Sequence, residues 1–373
     1  MKLRKKVLFY ILQGLFMYVW SIAAQAQDSD TVLDPAGYVT KYNVDFDGIG
    51  PRVYVLPAPR TREELLTDSY QEKIYFQDSI DKALDLQQLI DEFKPTANTT
   101  FVEQLISPLP TDAEDWNKII DQEIKNESYA IAYGMLHIYA TLCLKSGDIQ
   151  QTLTLLQTAL QHAQKTTNTL DVSTIQFNLS NVYLFQRNIE QAGYFQEAFY
   201  QTAVQQRSIV EQGNSLTKIA LIQAYDRDYR SAENNIIRKA IPLFNKAKAY
   251  DRKIVAWQTL AKIYQLQNKH TEAQWFLIQA RDLAESKNFT DELAEIEYML
   301  ASSKFVQKNY RVAQQEFINA GKLAEAKGNK LLQLAIVDKL GQIYMTRNDL
   351  NKAEDALIDY QNLRKVLFDV NNH

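Results

Sequence analysis

From residue 130 onward, apolar positions fall into helical periods cut by short polar breaks. The breaks are Ser146-Gly147-Asp148, Arg187-Asn188, Asp226-Arg227-Asp228, Asn268-Lys269, Lys308-Asn309 and Arg347-Asn348-Asp349. A small side chain recurs early in the helix after each break: Thr152, Ala192, Ala232, Ala273, Ala313 and Ala353, at intervals of 40, 40, 41, 40 and 40. A second small set stands on the helix before each break: Ala140, Ser180, Ala220, Ala261, Ala301 and Gly341. Two helices that cross closely need Gly, Ala or Ser at the crossing, with large neighbours filling the space beside it. A fixed period of this kind marks a repeat architecture. One helix pair cannot bury its apolar face alone, so the pairs must stack. The pattern predicts an all-α protein of six antiparallel helix pairs over residues 128–373.

Upstream the pattern changes. Thr61-Arg62-Glu63-Glu64 has the form of a capping box, and apolar residues then recur from Leu65 to Phe93, before Lys94-Pro95 ends the helix. A shorter helix is expected at about 99–107, stopped by Pro108. Thr111-Asp112-Ala113-Glu114 reads as a second capping box, opening a helix to about Lys125. Residues 61–127 are therefore expected to form an N-terminal helical cap. Residues 27–60 carry four of the 8 prolines and read as an irregular leader.

The first 26 residues read as an export signal: Lys2-Leu3-Arg4-Lys5-Lys6, an apolar run over 7–24, and the small-x-small pattern Ala24-Gln25-Ala26. Cleavage after Ala26 would leave a periplasmic or extracellular chain. The rival is an uncleaved anchor, which would be the chain's only tie to a membrane.

The repeat resembles the tetratricopeptide (TPR) family, in its long-repeat form. The fourth unit reads Trp257, Leu260, Ala261, Tyr264, Ala273, Leu277, Ala280, and the sixth reads Leu340, Gly341, Tyr344, Ala353, Leu357. These match the family's W-x2-L-G-x2-Y and A-x3-F offsets. The period of about 40 exceeds the family's common 34. Longer repeats of this kind resemble those of bacterial peptide-sensing regulators and kinesin light chains. The resemblance implies a right-handed α-solenoid whose first helices line a groove. Carried onto this chain, the groove residues are Lys145, Phe177, Asn181, Phe185, Tyr225, Lys262, Tyr298 and Gln342, with Asp338 on the same face. It implies a protein or peptide partner held in that groove, and the export signal would place that partner in the cell envelope.

Composition narrows the alternatives. Gly is 11 and Pro is 8 in 373 residues, which favours helix. The formal net charge is −4, and losing the four cations of the first 26 residues takes it to −8. A chain of that charge, with no basic stretch, lacks the phosphate neutralisation on which nucleic-acid binding rests. The single Cys143 allows no internal disulfide and reads as a small buried hydrophobe. His137, His162, His270 and His373 show no metal-binding spacing, and no phosphate loop or nucleophile motif is present. The sequence thus points to a non-enzymatic interaction scaffold with no cofactor and no metal. Two readings stay beside it: a membrane-anchored sensory or regulatory protein, and a helical glycan-binding protein or enzyme on the same repeats.

Overall fold

The computed structural model describes residues 60–106 and 108–369. The expected export signal, almost all of the leader and His373 lie outside the described residues. The chain divides into two units, residues 1–62 and 63–373, and the second carries the fold. All regular structure among the described residues is helical.

Six helix pairs follow one another: α4 Tyr129–Lys145 with α5 Ile149–Ala163; α6 Thr169–Phe185 with α7 Ile189–Gln205; α8 Ile209–Tyr225 with a composite second helix; α11 Tyr250–Leu266 with α12 His270–Lys287; α13 Leu293–Val306 with α14 Tyr310–Ala326; and α15 Lys330–Thr346 with α16 Leu350–Arg364. The composite helix runs α9 Tyr229–Asn234, a π segment Asn235–Ala240, and α10 Ile241–Ala247. Each pair crosses at residues twelve apart, from Ala140 and Thr152 to Gly341 and Ala353. All six second-helix markers are fully buried. At two crossings the side chain bonds across: Ser180 Oγ donates to the Ala192 carbonyl at 2.8 Å, and Thr152 Oγ1 lies 3.4 Å from that of Ala140.

The polar breaks are stereotyped turns. Gly147, Arg187, Arg227, Asn268, Lys308 and Asn348 all adopt positive φ. Arg207, Lys248, Asn288 and Gly328 do the same at the links between pairs. The next residue then serves twice. The amides of Asp148, Asn188, Asp228, Asn329 and Asp349 each donate at 2.9 Å to the carbonyl five residues back, closing the preceding helix. Their side chains accept the amide three residues on, opening the next helix. One residue thus reverses the chain about every 20 positions. The 41-residue interval has a local cause. The extra residue between Ala232 and Ala273 is taken up by the π turn at Asn235–Ala240. Pro242 follows, and its missing N–H and bulky ring suit a widened turn.

Aromatic residues tie pair to pair. Tyr183 stacks on Phe195 at 5.7 Å and accepts from Gln157 Nε2 of the preceding pair at 2.6 Å. Tyr264 stacks on Phe276 at 5.5 Å and bonds Glu233 of its preceding pair. Trp257 packs against the buried cluster that holds Ile254, Leu277 and Leu300 but is only half-buried, with Lys253 over its ring at 4.6 Å. Cys143 is buried, which pushes its thiol pKa up.

The segment expected as a cap is divided. α2 Ala97–Leu105 and α3 Ala113–Lys125 pack on α4 at the first end of the stack. The α3 cap is Asp112, which accepts the Asp115 amide at 2.8 Å, so the helix begins one residue later than the Thr111 box implies. α1 Arg62–Glu92 takes another course. It runs along the first helices of the pairs, from the sixth pair back to the second.

Candidate functional site

The inner wall is made by α4, α6, α8, α11, α13 and α15, and α1 lies against it. At the sixth pair Tyr70 of α1 enters the crossing of α15 and α16, and its hydroxyl donates to the Ala353 carbonyl at 2.7 Å. A Cβ on Gly341 would overlap that hydroxyl. Gly341 is therefore held to glycine by α1. Tyr344 packs in the same cluster, with Leu66, Tyr70 and Leu357. One turn along, Lys73 pairs with Asp338 at 3.0 Å, with side chains 6% and 2% exposed. The Tyr70 and Tyr360 rings lie 4.4 and 4.2 Å from its ammonium. Burial lowers the Lys73 pKa, and Asp338 offsets part of that. Gln342 donates to the other Asp338 oxygen at 2.9 Å.

In the middle of the wall Ile80 is fully buried with Leu334, Ala335 and Tyr360, and Tyr298 packs beside them. Burial raises the Tyr298 pKa, with Asp81 adding to it. Further on, α1 and the wall enclose an open cleft lined by Asp85, Gln88, Leu89 and Glu92 from α1, and by Asn181, Phe185, Arg187, Lys218, Tyr225 and Lys262 among others from the wall. Asp85 meets Arg187 at 3.1 Å and Lys262 at 3.8 Å, and Glu92 meets Lys218 at 2.5 Å. Arg187 lies 4.0 Å over the Tyr225 ring. Burial pulls the Lys262 pKa down, but Tyr225, Asp85 and Glu295 together outweigh it and the net shift is upward. Asn181 is 4% exposed, and neither of its amide atoms has a hydrogen-bond partner.

Past the end of α1, Lys94 and Asn178 exchange two bonds. The Lys94 amide donates to Asn178 Oδ1 at 3.0 Å, and Asn178 Nδ2 donates to the Lys94 carbonyl at 2.7 Å. Nδ2 also lies 2.9 Å from His137 Nε2. Burial pushes His137 down to about 4, so its neutral ring accepts there. Asp171, 1% exposed, accepts from the Ala97 amide and the Tyr133 hydroxyl at 2.7 and 2.6 Å. The Lys94 ammonium lies 4.4 Å over Phe177, whose ring is 5.0 Å from Phe199, and pairs with Glu211 at 2.9 Å.

Of the wall residues expected from the sequence, Asn181, Phe185, Tyr225 and Lys262 share the cleft. Phe177 lies under Lys94, Tyr298 beside Ile80, and Gln342 on Asp338. Lys145 stands exposed at the end of α4 and is not among the residues lining the cleft. The sequence reading missed Arg187, Lys218 and Asn178. Arg187 sits in a turn and Lys218 one place off the expected face, and nothing local marks either as a partner of α1. Among the described residues, no three His, Cys, Asp or Glu side chains gather as metal ligands.

No protein-family model matches the chain, and no curated protein matches it by sequence. Solved structures do. The chain is similar to a Rap protein complexed with competence and sporulation factor, at 10% identity and TM-score 0.50, over 82% of this chain and 99% of that one. It is also similar to the apo form of RapI, at 12% identity and TM-score 0.45 over 62% and 97%. A kinesin light chain of Podosopora anserina with nearly identical TPR-like repeats matches at 14% identity and TM-score 0.32 over 62% and 93%. The likeness to the first of these, at 10% identity, speaks to fold alone. The chain therefore has the tetratricopeptide-like fold, an α-solenoid of antiparallel helix pairs.

Proposed function

We propose that this chain is a non-enzymatic protein-interaction scaffold whose inner wall receives a helical segment of a partner. One observation carries the reading: the wall already holds a helix, gripping α1 through apolar seats at Tyr70 and Ile80 and ion pairs at Lys73, Asp85 and Glu92. A surface that seats one helix by spaced apolar anchors and charges has the chemistry to seat another. The solved Rap protein in complex with competence and sporulation factor offers a parallel in the same fold. The export signal read at residues 1–26 supports work in the periplasm or outside the cell, within an envelope assembly.

The test is affinity capture from an envelope fraction with the full chain, run beside a K218E/K262E variant. A protein recovered by the former and lost by the latter is the expected result. Sugar binding by calorimetry with no protein captured overturns the scaffold reading. N-terminal sequencing of the exported chain should begin at Gln27, and a chain starting at Met1 is the anchored form instead.

A further inference from the structure

The helical unit carries its negative charge unevenly. Arg62–Glu92 holds nine carboxylates against three cations, whereas residues 93–373 hold 31 of each. Among the described helices, the one with the largest net negative charge is the one lying in the groove. Its carboxylates at positions 85 and 92, seven residues apart and so on one helix face, meet Arg187, Lys262 and Lys218.

The fit is otherwise thin. α1 buries five of its 31 residues: Leu66, Tyr70, Lys73, Ile80 and Leu89. α5, half as long, buries eight of 15. Ile74 and Tyr75 of α1 are 68% and 90% exposed. In the cleft that Gln88 and Leu89 also line, the wall keeps Asn181 nearly sealed from solvent with both amide atoms unpartnered. A buried amide with no bond costs free energy that a better-fitting side chain would recover. Few buried contacts and several ion pairs are the marks of a segment that opens before the core does.

On the scaffold reading above, we propose that α1 is a displaceable occupant of the groove, and that the partner is an acidic amphipathic helix of another protein that takes its place on Arg187, Lys218 and Lys262. The tether holds α1 at high effective concentration, so a partner in solution competes against it. Weakening α1's own grip therefore opens the wall, while the wall's cations stay in place.

The probe is a fluorescein-labelled peptide of residues 62–94, titrated into the full chain and followed by anisotropy. D85K/E92K, which reverses α1's charge in cis, is expected to bind the peptide about tenfold or more tighter than the unaltered chain. That binding should weaken as salt rises, and adding K218E/K262E should abolish it by restoring opposite charges in cis. Equal, weak binding by D85K/E92K and the unaltered chain overturns the proposal. Hydrogen exchange on the unaltered chain covers the case in which the variant misfolds. Amides of α1 should exchange faster than those of α11 to α14, and equally slow exchange means α1 is a fixed part of the core. Capture of a partner through Lys218 and Lys262 with α1 still protected sinks this proposal and leaves the scaffold reading standing. A peptide that enters the opened groove with no natural partner captured does the reverse.

Discussion

Gly341→Ala tests where α1 lies. In an ordinary helix interior this change stabilises by about 1 kcal/mol, because Gly loses more backbone freedom on folding than Ala. Here the new Cβ would overlap the Tyr70 hydroxyl and sit 2.8 and 2.9 Å from Cε1 and Cζ of the ring. Tyr70 must leave its seat. It then loses the bond to the Ala353 carbonyl, about 1 kcal/mol net, and much of the burial of its ring, about 1.5–3 kcal/mol. Set against the helix gain, Gly341→Ala should cost about 2 kcal/mol. In a Tyr70→Ala background the obstacle is gone, and the same change should stabilise by about 1 kcal/mol. The cycle thus predicts a reversal of sign and a coupling of about 3 kcal/mol. Denaturant unfolding followed by circular dichroism measures all four corners. Repeat stacks can lose terminal units first, so exchange protection over α15 and α16 gives an independent reading of sign. A stabilising Gly341→Ala in the otherwise unaltered chain would refute the placement of Tyr70 in that crossing.

Two further predictions follow from buried charge and from the turns. Asp338→Asn strands the ammonium of Lys73, 6% exposed, and should cost about 3–5 kcal/mol, whereas K73M/D338L should lie near the unaltered chain. Burial sets the Lys73 pKa below its ordinary 10.5, so between the folded and unfolded values the unfolded chain binds the extra proton and stability rises with pH. The Asp338→Asn deficit should therefore shrink as pH climbs toward 10.5, and a deficit flat with pH counts against a buried Lys73. Lys308→Gly should stabilise by about 0.5–1 kcal/mol in thermal unfolding, because Lys308 is an exposed non-glycine residue at φ 61°. A loss there would mean that its backbone is not left-handed.

Much of the solenoid was legible in the chain because it obeys local rules. A crossing demands small side chains, so Ala261 with Ala273 and Ser180 with Ala192 could be paired from spacing alone. The double duty of Asp148, Asn188 and Asp349 was equally local, since in each a left-handed residue is followed by Asp or Asn. The 41-residue interval was visible too, although only the structure showed it absorbed as a π turn. The course of α1 was not legible. Its charges look like those of any solvated helix face, and its weak amphipathic pattern fits a cap as well as a guest. What placed it were contacts such as Tyr70 to Ala353, 283 residues apart, and Asp85 to Arg187, 102 apart. The sequence by itself determined the pairs and their stacking, since helix propensity, capping and crossing size act between near neighbours. Only the tertiary structure decided that an acidic helix fills the groove, because that choice depends on which distant charges the completed stack brings within reach.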